Sequence, residues 1–355
     1  MAVDFLCPRQ RSCDVSVFAR DKVYIIAEAG VNHNGRVDLA LQLIDVAAQA
    51  GADAVKFQTF KLKAVVSPDT PMAEYQKKNT GRSESMADML KELELSYAEF
   101  ETLANHARKT GITFLSTAFD LESLAFLARL DVPLFKIPSG ELTNPSLVRA
   151  IARCRRPVIV STGMADLGDV ERALGWLYEE GQDDIALLHC VSDYPANPAD
   201  ANLAAMDTMK AAFGLPVGWS DHTLGDTVTI AAVARGAVIV EKHFTLDTEL
   251  PGPDHRASLD PAAFRRMVNN IRITESAIGS GRKAPTARER EIIKAARRSI
   301  VAARNIEAGR AIERSDIEFL RPGTGIAPFD MQFVLGRKLN RSVAQGSLIH
   351  LIDLT

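Results

Sequence analysis

The sequence is short of the features that mark secreted, membrane-spanning or metal-clustered proteins. Only four cysteines occur in 355 residues, and Cys7, Cys13, Cys154 and Cys190 nowhere form a C-x-x-C pair. Neither a zinc cluster nor a redox dithiol is indicated, and a reducing compartment is expected. No apolar run approaches the ~20 residues that span a bilayer. The N-terminal MAVDFLCPRQRSCDV has no apolar core followed by a small-residue cleavage site, so export is not expected and a cytoplasmic location is. A formal net charge of −3 offers no field for nucleic acid or a membrane surface. A G-x-G-x-x-G fingerprint is also missing after the first apolar run.

What is present is a recurrence. Eight short apolar runs, at 24–30, 53–59, 113–119, 134–140, 157–163, 185–191, 216–223 and 237–245, each end in polar or charged residues. They are too short for helices and rich in β-branched residues. Most are continuous rather than alternating, as in parallel strands buried on both faces. Between them, 37–50, 97–110, 121–130, 144–153, 168–180, 200–213 and 225–235 repeat apolar positions at helical spacing, and a last helix is read at 261–279. Eight strand–helix units in about 225 residues predict a (β/α)8 barrel, whose strand C-termini form the active-site face. A doubly wound open sheet is the rival, but chemistry-bearing residues follow all eight runs rather than one switch point.

The barrel is expected over 21–280, after an N-terminal extension at 1–20, and a polar stretch containing KAPTARERE is expected to link 281–295. Residues 296–355 change character. Ile306-x-x-Gly309-x-x-Ile312-x-x-x-Asp316-Ile317 recurs as Val343-x-x-Gly346-x-x-Ile349-x-x-x-Asp353-Leu354, suggesting a pseudo-twofold module of short strands and turns around RPGTGIAP at 321–328.

His222 and His243 occupy equivalent places on the last two strands. Two imidazoles with oxygen ligands and open positions suit a divalent ion such as manganese; a hydrogen-bonded pair without metal is the alternative. His33, after the first strand, is a rival pocket residue. Lys56 and Lys136 end strands two and four behind apolar residues, where a lysine is costly to desolvate unless it meets an anion. Hydroxyls at strand ends more often cap helices. Glu28 and Glu141 are candidate proton handlers or, alternatively, ion-pair partners of those lysines. Cys190 reads as a small buried residue rather than an activated thiol. The segment 60–96 is far longer than the 2–6 residues usual between such units and suggests a functional lid carrying Tyr75, Gln76, Asn79 and Thr80 as possible hydrogen-bonding groups.

AEAGVNHNG at 27–35, KFQTF at 56–60, YQKKNTG at 75–81, KIPSGE at 136–141, STGM at 161–164, LHCVSDYP at 188–195, WSDHT at 219–223, EKHF at 241–244 and GPDHRASL at 252–259 together resemble the sialic acid synthase family. The C-terminal module resembles its antifreeze-like SAF domain. The resemblance implies condensation of phosphoenolpyruvate with an N-acylated mannosamine-type sugar, giving a nine-carbon 2-keto acid and phosphate. It implies a phosphoenolpyruvate site of Lys56, Thr117, Lys136, Ser139, Ser161 and Ser220, with Glu28, Glu141 and Lys136 catalytic. Sugar contacts would come from Gln58, Tyr194, Asp254 and Arg321, and metal ligation from His222 and His243, with manganese expected and magnesium or cobalt as alternatives. Arg321 would reach the other subunit of a domain-swapped homodimer; alternatively it fixes its own turn. The acceptor stays open between N-acetylmannosamine, placed first, and the 2,4-diacetamido-2,4,6-trideoxymannose of a legionaminic acid synthase; a pseudaminic acid synthase is less expected. Another phosphoenolpyruvate-condensing barrel explains less of the C-terminus, and a non-catalytic sugar-binding protein leaves the lysines, glutamates and histidines idle.

Overall fold

A computed structural model describes residue 18 and residues 21–67, 69–81 and 85–355, the side chain of Lys78 excepted. Cys7, Cys13 and all of the expected 1–20 extension but Phe18 lie outside the described residues. The chain divides between Gly279 and Ser280 into two compact units.

The first unit runs β1 (Tyr24–Gly30), α1 (Val37–Ala50), β2 (Ala54–Thr59), α2 (Leu62–Val65), α3 (Glu74–Thr80), α4 (Met86–Leu93), α5 (Tyr97–Thr110), β3 (Thr113–Ala118), α6 (Leu121–Arg129), β4 (Phe135–Ile137), α7 (Pro145–Arg153), β5 (Val158–Ser161), α8 (Leu167–Glu179), β6 (Ile185–Cys190), α9 (Ala204–Phe213), β7 (Val217–Asp221), α10 (Thr227–Ala234), β8 (Ile239–His243) and α11 (Pro261–Ile278). Its strands pair in the order β3-β2-β1-β8-β7-β6-β5-β4, and every pairing within it is parallel. The two ends of that order, β3 and β4, run side by side, so the sheet forms a nearly closed barrel.

Strand alternation sorts the side chains. Tyr24, Ile26, Ala54, Leu115, Leu134, Ile159, Ala186, Leu188 and Ile239 fill one apolar cluster, joined by Phe18. Alternate residues such as Ile25, Val55, Val160, Leu187 and Val240 pack in a second, larger cluster with helix residues such as Leu43, Leu103 and Leu177. The first cluster is therefore the barrel interior and the second the layer between sheet and helices. Continuing the interior set two residues further gives Glu28, Lys56, Lys136, Ser161, Cys190 and Glu241. The same pleat that fills the barrel thus aims its polar ends into the mouth.

Within this unit the structure changes two expectations. The fourth strand stops at Ile137 rather than 140, because Pro138 has no N–H for the ladder and is followed by a 3-10 turn at Ser139–Glu141. The stretch 60–96 is a small helical subdomain rather than a loop. Ser85 accepts from Asp88 N to start α4, and a capping box of Ser96 and Glu99 starts α5. Val31, Phe60, Met72, Met89 and Leu93 form its own apolar cluster against the barrel mouth.

The second unit contains α12 (Ala287–Ala296), β9 (Ser299–Ala302) and β10 (Ile317–Leu320), the last two antiparallel. The helix occupies most of the stretch expected as a linker; Thr286 and Glu289 form its capping box. The sequence repeat is visible as paired hydrogen bonds. Ile306 and Val343 exchange N–H···O bonds, Gly309 N to Leu339 O matches Gly346 N to Ala302 O, and Ala303 N to Asp316 O matches Asn340 N to Asp353 O. Asp316 accepts from Arg304 Nε and Glu313 N, as Asp353 does from Arg341 Nε and His350 N. Each repeat thus ends on a buried carboxylate that ties its own arginine and turn.

Candidate active site

A cavity of about 460 Å3 opens above the barrel interior. Its floor is built by register. Glu28 lies opposite Lys56 on β2 and opposite His243 on β8, and Ser220 lies opposite Glu241. Lys56 Nζ sits 2.6 Å from Glu28 Oε2 and donates to Thr117 Oγ1 at 2.9 Å. Lys136 Nζ reaches both oxygens of Glu241 at 2.9 Å, and Ser220 Oγ donates to Glu241 Oε1 at 3.2 Å. Glu241 lies 3.8 Å from Lys56 as well, so two lysines share two carboxylates in one buried cluster.

Burial penalises every charge here, and the balance differs between the two glutamates. For Glu28, burial outweighs the attraction of Lys56 and raises its pKa to about 7. For Glu241, burial acts upward too, but Lys136 and Lys56 overcome it and hold the carboxyl at about 2. Near neutral pH, Glu241 is therefore a fixed anion while Glu28 can hold or give up a proton, and a pair of carboxyls separated in this way can divide acid–base work from charge pairing. Burial also pushes the Lys136 ammonium down from its usual range, against the pull of Glu241, so the charge of the floor is set by the cluster as a whole.

The imidazoles stand at the other side of the floor. His222 and His243 have ring centroids 5.5 Å apart. His222 Nδ1 lies 2.6 Å from Val191 O; a carbonyl can only accept, so Nδ1 carries the proton and Nε2 keeps its lone pair. His243 Nδ1 is buried without a hydrogen-bond partner, 4.0 Å from Asp254 Oδ2, and burial holds that ring neutral. His243 offers an uncommitted neutral nitrogen to a divalent cation; on His222 burial opposes charge, but contacts with Cys190 and Val191 O outweigh it and raise its pKa, so a cation there would compete with a proton for Nε2. Among the described residues no cluster of three or more His, Cys, Asp or Glu is arranged as a ligand set, so water and substrate would complete the shell. Tyr194 covers this side, its ring 4.0 Å from that of His222 and 5.0 Å from Tyr75 on α3.

The expected residues separate into those brought together and those left out. Lys56, Gln58, Thr117, Lys136, Ser139, Ser161, Tyr194, Ser220, His222, His243, Asp254 and Glu28 all line the cavity. Ser161 Oγ is buried without a partner, and Gln58 Nε2 points to Glu28 Oε1 at 3.4 Å. Ser139 Oγ accepts from Gly163 N at 3.0 Å; a Cβ on Gly163 would come within 2.8 Å of that oxygen and 2.2 Å of Ser192 Oγ, so a larger residue there would displace both hydroxyls. Glu141 does not line the cavity: it ends the 3-10 turn after Pro138 and accepts from Asn144 Nδ2 at the start of α7. His33 is also outside it, fully buried with Nδ1 accepting from Gly35 N. Arg321 belongs to the second unit, exposed, with Nε donating to Ala296 O. Glu241 was missed, although it stands two residues before His243 and period-two alternation puts both on one face.

Lysines, carboxylates and paired imidazoles converging at the C-terminal mouth of a barrel are the equipment of an enzyme acting on a small anionic substrate. Comparison with known proteins agrees. A model of the NeuB family matches residues 43–283, and one of the SAF domain matches 297–355. N,N'-diacetyllegionaminic acid synthase of Legionella pneumophila is 46% identical over 92% of this chain and 93% of its own. N-acetylneuraminate-9-phosphate synthase of Drosophila melanogaster is 32% identical over 92% and 94%. The crystal structure of N-acetylneuraminic acid synthetase from Leptospira borgpetersenii, in complex with citrate, covers 77% of this chain and 90% of its own at 36% identity and a TM-score of 0.67. The chain belongs to the NeuB family of sialic and legionaminic acid synthases and ends in an SAF domain.

Proposed function

We propose that the protein condenses phosphoenolpyruvate with an N-acylated mannosamine-type sugar and water, releasing a nine-carbon 2-keto acid and inorganic phosphate. The observation that carries this reading is the convergence of Lys56 and Lys136 on one cavity with Thr117, Ser161 and Ser220, a cationic cradle for phosphate and carboxylate. Carbon 3 of phosphoenolpyruvate forms a bond to the sugar's aldehyde carbon, water adds at carbon 2, and the carbon–oxygen bond to phosphate breaks. Glu28, held near neutrality by burial, handles the proton of the attacking water. Glu241 stays ionised and fixes the ammonium of Lys136. His222 and His243 would hold a divalent ion, manganese first and magnesium or cobalt as alternatives. Such an ion supplies Lewis acidity toward the aldehyde oxygen. Arg321 in the SAF domain is proposed to act in trans within a domain-swapped homodimer, its exposure leaving the guanidinium open to another chain.

Identity favours 2,4-diacetamido-2,4,6-trideoxymannose as the acceptor: relatives named diacetyllegionaminic acid synthases stand at 46% and 44%, those named N-acetylneuraminate-9-phosphate synthases at 32%. N-acetylmannosamine is the second reading, favoured by the Leptospira structure. Phosphate release from phosphoenolpyruvate with manganese, run with each acceptor in parallel, tests both. Faster turnover of the diacetamido sugar supports the first reading and faster turnover of N-acetylmannosamine the second. Release with neither, in folded and metal-loaded protein, rejects the proposal.

A further inference from the structure

The cavity has two unlike halves, and the proposed reaction engages only one directly. The floor is ionic. Another part of the lining is an apolar wall, formed by Val31, Ala73, Met89, Leu90, Leu93 and Phe119, most of which pack in one cluster. Four of these six come from the helical segment between β2 and α5, which was expected to offer hydrogen-bonding groups. Those groups are largely spent within the fold: Gln76 Oε1 accepts from Ala73 N, Asn79 Nδ2 donates to Pro253 O, and Thr80 Oγ1 donates to Gln76 O. The segment turns Ala73, Met89, Leu90 and Leu93 toward the cavity beside the polar Tyr75 and Gln76, and Tyr75 stacks on Tyr194.

The chemistry sets which end of an acceptor meets that wall. The aldehyde carbon must lie at the floor, beside the lysines and imidazoles. Tyr194 and Asp254, which stack on His222 and approach His243, flank this reacting end. The far end, carbons 4 to 6, then lies against the remaining side. We infer that the apolar wall is a specificity element that selects acceptors with a methyl group at carbon 6 and an acyl group at carbon 4. A hydroxyl set against these six side chains finds no polar partner among them and is penalised, whereas methyl groups gain from leaving water. This rests on the condensation reading and names the substrate class within it.

Met89 and Leu93 also line a second cavity of about 170 Å3, so truncating them alters two spaces at once. Leu90 and Val31 line only the first. The test is kcat/KM for 2,4-diacetamido-2,4,6-trideoxymannose and for N-acetylmannosamine in wild type, Leu90→Gln and Val31→Thr, with the KM for phosphoenolpyruvate measured alongside. Leu90 is half-buried and Val31→Thr preserves shape, so at least one variant should keep the fold. The expected result is a fall of roughly tenfold in the ratio of the first acceptor to the second, with the KM for phosphoenolpyruvate unmoved. A ratio within twofold of wild type in both folded variants overturns the wall's role and leaves the condensation reading standing. Wild-type protein that turns over neither sugar overturns both.

Discussion

Two buried lysine–carboxylate pairs sit one residue apart on β8, and they do different things. Glu241 faces the cavity and binds Lys136, with Lys56 and Ser220 nearby. Lys242 faces the helix layer and donates to Asp221, whose carboxylate also accepts from the Thr223 and Thr229 hydroxyls. In register, Ser220 pairs with Glu241 and Asp221 with Lys242, so the same two strands carry both arrangements on opposite faces. The outward pair closes on itself: its lysine is fully buried and also donates to Thr223 O, and no group of the pair lines the cavity. The inward cluster touches a cavity and retains polar atoms without partners, such as Ser161 Oγ. Burial alone does not separate the two pairs; what differs is that only the inward one faces a cavity.

Substitutions break this comparison with different readouts. Lys136→Ala should cost on the order of 10^2 to 10^3 in phosphate release, because one preorganised cation at the proposed reacting centre is lost; Lys56, 3.8 Å from Glu241, and Ser220 remain beside the stranded carboxylate, so the thermal midpoint should fall by less than in Lys242→Met. His222→Ala should abolish metal-dependent turnover and leave the circular dichroism spectrum unaltered; activity of a metal-stripped His222→Ala protein equal to wild type would sink the ligand role. Lys242→Met should show the reverse pattern. It strands Asp221 in the helix layer, costs about 3–5 kcal/mol and lowers the melting temperature by on the order of 10 °C, with the KM for phosphoenolpyruvate unchanged.

A third arrangement sharpens the contrast. Asp316 and Asp353 are buried, but their arginines are about half exposed. Burial opposes ionisation of Asp316, yet the Glu313 N–H and Arg304 outweigh it; Arg341 is the main cause for Asp353, and both carboxyls sit below the ordinary range. The unfolded chain then binds protons more tightly than the folded one. The stabilisation is complete above the ordinary aspartate value of about 3.9 and is lost as pH falls from there through the folded values. Hydrogen exchange of β9 and β10 in the full chain should lose protection below pH ~4, the smallest of these effects; protection unchanged to pH ~2 would contradict it.

Much of the barrel was legible because its strands are buried on both faces and read as continuous apolar runs, ending within a few residues of the observed bounds. The fourth strand is the exception, and Pro138 was the available signal. The helical segment after β2 was hidden because its helices are only 4, 7 and 8 residues long, shorter than the window in which helical spacing can be read. α12 was signalled by Thr286-x-x-Glu289, obscured by its charged composition. Residue type and strand position anticipated which lysines and histidines share the cavity. The structure adds Glu241 to the cavity lining and leaves Glu141 outside it, since a turn after a strand rotates side chains in ways that spacing does not record.

Equilibrium binding of phosphoenolpyruvate to wild type, Lys136→Ala and Lys242→Met, followed by calorimetry on folded protein, separates the two pairs most directly. Binding lost in Lys136→Ala and kept in Lys242→Met is the expected result. Equal affinity in all three, or loss only in Lys242→Met, would contradict the assignment of the cavity cluster as the anion site.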